Sequence, residues 1–131
     1  MRSELRFVSD AFVYVVDEAN NETKAQLRNL SEHGLGIKAD GYIDIEPKSS
    51  YVIAVIPEKE SNLEKFQMEI ESRWIKLSRS KMESGFSILV HFNEKEFKEY
   101  LEYVTKKGKA ETSDTPQNDR NSTDDTSNTQ N

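Results

Sequence analysis

The sequence predicts a mostly β protein: a small six-stranded antiparallel β-barrel with one C-terminal α-helix and a disordered tail. Three observations lead there. Six short segments rich in β-branched and aromatic residues are separated by polar turns. One stretch near the end, Asn93 to Gly108, carries a helical stripe instead. Beyond it the composition changes to one that cannot build a core.

The first predicted strand is Ala11 to Val16 (AFVYVV), followed by a polar turn, Asp17 to Glu22. Thr23 to Arg28 pairs back, with Ala25 and Leu27 on one face. After the turn Asn29 to Gly34, Leu35 to Ala39 is a short strand with Leu35, Ile37 and Ala39 pointing one way. Asp40-Gly41 marks the next turn. Tyr51 to Ile56 is a continuous apolar strand stopped by Pro57. Phe66 to Ile70 alternates cleanly and the pattern continues to Trp74, but Ile75 and Leu77 then fall on the opposite face. Such a switch means either cover on both sides or a β-bulge. Ser78 to Ser84 reads as a turn and Gly85 to Phe92 (GFSILVHF) as the last strand.

In the helix, Asn93 stands at the N-cap with Glu96 in a capping-box position. Phe97, Tyr100, Leu101 and Val104 form a single apolar stripe. Glu94 with Lys98, and Glu102 with Lys106, are i,i+4 pairs of the favourable polarity. Lys106 and Lys107 suit the C-terminal dipole, and Gly108 closes the helix. From Gly108 to Asn131 there is no aromatic residue and Ala110 alone is apolar, so ordering entropy wins and disorder is expected. Residues 1–10 read as a flexible N-terminal arm, 11–107 as barrel plus helix, and 108–131 as a disordered acidic tail.

Composition limits what the chain can do. At 131 residues it fits one domain. The formal charge is −6, so a non-specific grip on DNA or RNA, which needs a basic surface, is disfavoured and no nucleic-acid partner is expected. A small anionic ligand remains compatible, because its binding depends on local charge. There is no Cys, in keeping with a reducing cytoplasm, and thiolate zinc sites are excluded. The longest apolar run, Val52 to Ile56, is too short to cross a bilayer, so no membrane insertion is expected. His33 and His91 are the two histidines, and neither an H-x-x-x-H nor an H-E-x-x-H spacing occurs, so no metal site is expected. No nucleophile–base pairing is visible, and the chain is not expected to be an enzyme.

Two motifs remain. Arg2-Ser3-Glu4-Leu5-Arg6 reads R-x-x-x-R, and Asn29-Leu30-Ser31-Glu32-His33-Gly34 reads N-x-S-x-x-G. An arginine fork donates two parallel hydrogen bonds to guanine O6 and N7, and also suits phosphate. A polar turn with Asn, Ser and Gly can hold the other side of the same ligand, the glycine allowing positive φ or a close backbone approach. By composition R-x-x-x-R alone arises in roughly one chain of this length in three, so both motifs are needed.

In this order and spacing the motifs resemble the PilZ domain, a bacterial receptor module for cyclic di-GMP, over Arg2 to about Lys107. The resemblance implies a barrel, often with a C-terminal helix, and implies Arg2, Arg6, Asn29, Ser31 and Gly34 as ligand residues. Arg28, which abuts the turn, and Arg73 are possible additions, Arg73 on a side that the sequence does not decide. Trp74 is expected in the barrel core rather than as a stacking platform. The expected function is that of a non-enzymatic cyclic di-GMP receptor without a cofactor, whose arm orders on ligand and alters binding of a downstream protein. The alternative is a ligand-independent adaptor with the same barrel.

Overall fold

The computed structural model describes residues 5–112. In chain order the elements are β1 (Leu5–Val8), β2 (Phe12–Val16), β3 (Glu22–Leu30), β4 (Gly34–Asp40), β5 (Ser50–Ile56), β6 (Phe66–Ser78), β7 (Lys81–His91), α1 (Glu94–Lys107) and β8 (Ala110–Thr112), with a short 3-10 turn at Lys59–Ser61. Strands β2, β5, β6, β7, β4 and β3 hydrogen-bond in that order, and β3 returns to β2, closing a six-stranded antiparallel barrel. Closure leaves no edge within the ring.

Two short strands lie outside the ring. β1 pairs with the end of β3 (Phe7 with Leu30, Val8 with Asn29), and β8 pairs with β1. Residues 5–8, expected within a flexible arm, therefore form a strand. The physical reason is that β3 outruns its pairing with β2, which ends at Gln26, so Asn29 and Leu30 offer a backbone edge. Phe7 adds a partly buried side chain against the core. Similarly, residues 110–112, within the tail that composition predicts, pair with β1. Arg2 and the tail beyond Thr112 lie outside the described residues.

Alternation places Val13, Val15, Ala25, Leu27, Ile37, Ile53, Val55, Met68 and Ile70 inside the barrel, all buried. Helix α1 closes one end with Phe97, Tyr100 and Val104. Phe97 meets Phe66 edge-on with ring centroids 5.9 Å apart. Each such side chain taken from water contributes about 2 kcal/mol. The pairs Glu94–Lys98 and Glu102–Lys106 form at 3.4 Å each. Gly108 has φ 79° and its N–H bonds Thr105 O at 3.1 Å, ending the helix in a left-handed cap.

Two local expectations change. Asn93 does not cap the helix with its side chain; its Oδ1 instead accepts the backbone N–H of Gln67 at 2.9 Å. The turn between β6 and β7 is only Arg79-Ser80, with Arg79 at φ 57°. Residues 81–84, expected as turn, belong to β7 and pair with β6 on one side and β4 on the other; Met82 is their one large apolar residue, too short an alternation to read as a strand. The suspected irregularity in β6 is a bulge between Ser72 and Trp74. Before it the even-numbered residues Met68, Ile70 and Ser72 face inward; after it Ile75 does.

Candidate ligand site

The N-x-S-x-x-G segment is the β3–β4 corner, with Asn29 and Leu30 in β3 and Gly34 opening β4. Ser31 is 3% exposed, and its hydroxyl ties the corner together. Ser31 Oγ donates to Gly34 O at 3.2 Å and accepts from Gly34 N–H at 3.1 Å. A corner held this way is preorganised, because its polar atoms need no rearrangement to keep their shape.

A bulge between Leu27 and Asn29 sets Asn29 opposite Gly36, and the amide leans over that glycine on the outer face of the barrel. A Cβ built on Gly36 would lie 2.9 Å from Asn29 Oδ1. Pairing with β3 carries β1 past the same corner, so Arg6 reaches it. Arg6 Nη1 donates to Asn29 Oδ1 at a long 3.5 Å, and a Cβ on Gly34 would sit 2.7 Å from Arg6 Nη2 and 3.0 Å from Phe86 O. Gly34 is thus required by close approach rather than by positive φ. Four of the expected residues, Arg6, Asn29, Ser31 and Gly34, meet at one corner.

Both additional arginines face outward nearby. Arg28 Nη1 lies 3.4 Å from Glu83 Oε1, with side-chain exposures of 38% and 37%. Arg73, on the β6 bulge, lies 3.5 Å from Glu71 Oε1 with its side chain 60% exposed. Exposed pairs of this kind are worth about 0–1 kcal/mol, so an anionic ligand can replace either carboxylate at little cost.

Trp74 is not in the core. It follows the bulge, points outward, and its indole lies over Gly85, its cross-strand partner. Sequence reading passed over Gly36 and Gly85 too. The available signal was a glycine inside a strand, which marks a bulge or a close approach.

The residues after β1 connect this corner to the helix. Ala11 N–H donates to Ser9 Oγ (3.0 Å), Ser9 Oγ lies 2.7 Å from Tyr100 Oη, and Tyr100 Oη donates to Glu58 Oε1 (2.6 Å). Since the phenol proton goes to Glu58, Ser9 is the donor to Tyr100. Burial, and then the bond to Glu58, push the Tyr100 hydroxyl far above its ordinary pKa, so it remains a donor. Lys107 Nζ lies 3.8 Å from Glu58 Oε2 and 4.0 Å from Asp10 Oδ2.

The fold is similar to that of a solved structure. That structure is the Bacillus subtilis inhibitor of motility (MotI/DgrA), at TM-score 0.66 and 15% identity, over 82% of this chain and 51% of that one. The fold is a PilZ-like barrel. At this identity the likeness speaks for the fold alone, and this chain spans about half the length of that protein. No family model matches the chain, and no curated protein matches its sequence. Among the described residues of the PilZ-like barrel, no helix is long and apolar enough to cross a membrane, and no group of three or more His, Cys, Asp or Glu is placed to hold a metal ion.

Proposed function

We propose that this chain is a non-enzymatic, cytoplasmic bacterial receptor for cyclic di-GMP that passes ligand occupancy to a protein partner. One observation carries the reading: the Arg6 guanidinium lies over Gly34 and against Asn29, at the corner that Ser31 ties together. Arg6 faces guanine or phosphate, Asn29 reads base-edge donors and acceptors, Ser31 holds the corner, and Gly34 leaves room for the approach. Arg2 joins Arg6 as the second arginine of the motif, and Arg28 and Arg73 supply further cations for phosphate.

The output runs through β1. A ligand that draws on Arg6 displaces a strand whose next residues, Ser9 and Asp10, contact Tyr100 and Lys107 of α1. Because residues 5–8 form a strand, the signal is a shift of β1 and α1 rather than an ordering of that stretch. The similar solved protein is described as an inhibitor of motility, and output through a protein partner is in keeping with that description.

Isothermal calorimetry with cyclic di-GMP, with GTP and cyclic di-AMP as controls, tests the proposal. The folded protein gives saturable heat with cyclic di-GMP. Arg6→Ala weakens binding by about 1–3 kcal/mol, roughly 5- to 150-fold, the worth of one bidentate guanine contact. Absence of heat from the folded wild-type chain refutes the proposal.

A further inference from the structure

We propose that two copies of this chain pair face to face through the outer surface of β2 and β5, forming a reversible two-fold dimer. On an antiparallel strand with one solvated face, the inward residues are apolar and the outward ones polar. β3 and β6 follow that rule beside this surface: Glu22, Lys24 and Gln26 point outward on one, Gln67 and Glu69 on the other. β2 and β5 do not. Val13, Val15, Ile53 and Val55 fill the core. Yet the outward residues are apolar as well, namely Phe12, Tyr14 and Val16 on β2 and Val52, Ala54 and Ile56 on β5. Strands that read as continuous apolar runs are characteristically covered on both faces.

The six outward residues form one ladder. Phe12 pairs with Ile56 and Tyr14 with Ala54, and Val16 and Val52 stand one step further along. Phe12 is 47% exposed, Val16 39% and Val52 40%. Contiguous exposed apolar surface marks an interaction site. The chain's own far end cannot cover it, because no residue after Thr112 belongs to the apolar set.

The charges around the ladder select a second copy as the occupant. At the Phe12–Ile56 end both flanks are basic. Lys24 Nζ lies over the Phe12 ring, 4.1 Å from its centroid, and Lys65 shares a hollow with Ile56 and Ala54. At the opposite end both flanks are acidic, with Glu22 paired to Val16 and Glu69 paired to Val52. A two-fold axis crossing the strands at Tyr14 and Ala54 lays the basic end of each copy over the acidic end of the other. Lys24 then meets the facing copy's Glu22, and Lys65 meets its Glu69. An axis along the strands sets Glu22 against Glu69 instead, like charge against like. The surface is thus self-complementary in one orientation, as a two-fold interface requires. The hollow over Ala54, bordered by Tyr14, Lys65 and Gln67, gives the facing side chains room.

The apolar ladder covers about 10 Å by 17 Å. That is less than the ~800 Å² per partner of a stable interface, so the charged flanks contribute and the dimer is weak. In ring order β2–β5 lies opposite β4–β7, so the ligand corners of both copies stay open and the pairing stands apart from the receptor reading.

Sedimentation velocity of the full chain, from dilute solution to its solubility limit, tests the pairing. The wild type shifts reversibly from monomer to dimer as concentration rises. Ala54→Lys sets two ammonium groups against each other at the axis and weakens the dimer roughly tenfold or more. Glu22→Lys and Lys24→Glu each weaken it, and the double variant, which restores opposite signs across the interface, recovers much of the loss. A folded wild-type chain that stays monomeric throughout overturns the proposal. A dimer that Ala54→Lys leaves unchanged, or in which the double variant is no stronger than the single ones, uses another surface and overturns it too. Should Ala54→Lys fail to fold, the exchange at the exposed positions 22 and 24 decides: recovery in the double variant supports the face-to-face dimer, and its absence refutes it.

Discussion

Removing one oxygen, in Tyr100→Phe, tests whether the buried link between the strand after the ligand corner and the closing helix stabilises the fold. Tyr100 is fully buried and Ser9 is 2% exposed, while the Glu58 side chain is 7% exposed, so water cannot readily replace the phenol. The variant retains the ring and its contact with Phe66, whose centroid is 5.8 Å away. It loses a hydrogen bond to a carboxylate, worth about 1.5–3 kcal/mol, and deprives the Ser9 hydroxyl of its acceptor. Lys107, near the other Glu58 oxygen, offsets part of this. The expected loss is about 2–3 kcal/mol, which lowers Tm by roughly 10 °C for a domain of about 100 residues. In urea the midpoint falls by about 1–2 M at unchanged slope. The pH dependence gives a second reading. The folded state holds the Tyr100 proton above the pH near 10 at which the unfolded chain releases it. Its stabilising contribution is therefore complete below about pH 10 and declines as pH rises beyond that. Tyr100→Phe removes this part of the alkaline decline, and Tyr51, whose pKa is also raised by burial, leaves a remainder. Unfolding of Tyr100→Phe at the wild-type midpoint would refute the claim that the Ser9–Tyr100–Glu58 chain is net stabilising.

Gly34→Ala places a methyl against Arg6 Nη2 and Phe86 O, so Arg6 must leave the corner; calorimetry should show weakened cyclic di-GMP binding, roughly tenfold or more on the scale of one guanine contact, and wild-type affinity in a folded Gly34→Ala would contradict the close-approach argument. His91 packs against Phe97 with ring centroids 4.2 Å apart and the rings tilted by 40°, and has its pKa lowered, chiefly by burial. Below about pH 6.5 the unfolded chain takes up a proton that the folded chain resists, so stability is complete above that pH and falls as pH drops toward the folded value. Urea midpoints measured from pH 7.5 to 5 should show this fall in the wild type and less of it in His91→Phe; parallel curves would exclude His91 as its source.

Much of the barrel was legible because its signals are local. Alternation in Phe66 to Ile70 and the run Tyr51 to Ile56 each mark a strand without reference to any other, and the stripe Phe97, Tyr100, Leu101, Val104 marks the helix likewise. Asn29, Ser31 and Gly34 lie in one short segment, so their meeting with each other was also local. β1 was not legible, since Leu5–Val8 forms a strand only because the end of β3 offers it an edge. Asn93 read as a helix cap until Gln67, distant in sequence, claimed its side chain.

By itself the sequence determined the strand-forming segments, the helix with its buried face, and the corner able to hold a polar ligand, because each depends on residues a few positions apart. Register and bulges decided the rest. Only closure of the sheet sets Asn29, Gly36, Gly85 and Trp74 in one row, and only the bulge after Ser72 turns Trp74 from the expected core to the outer face. Such juxtapositions are products of cross-strand pairing, in which a shift of one residue exchanges inside for outside.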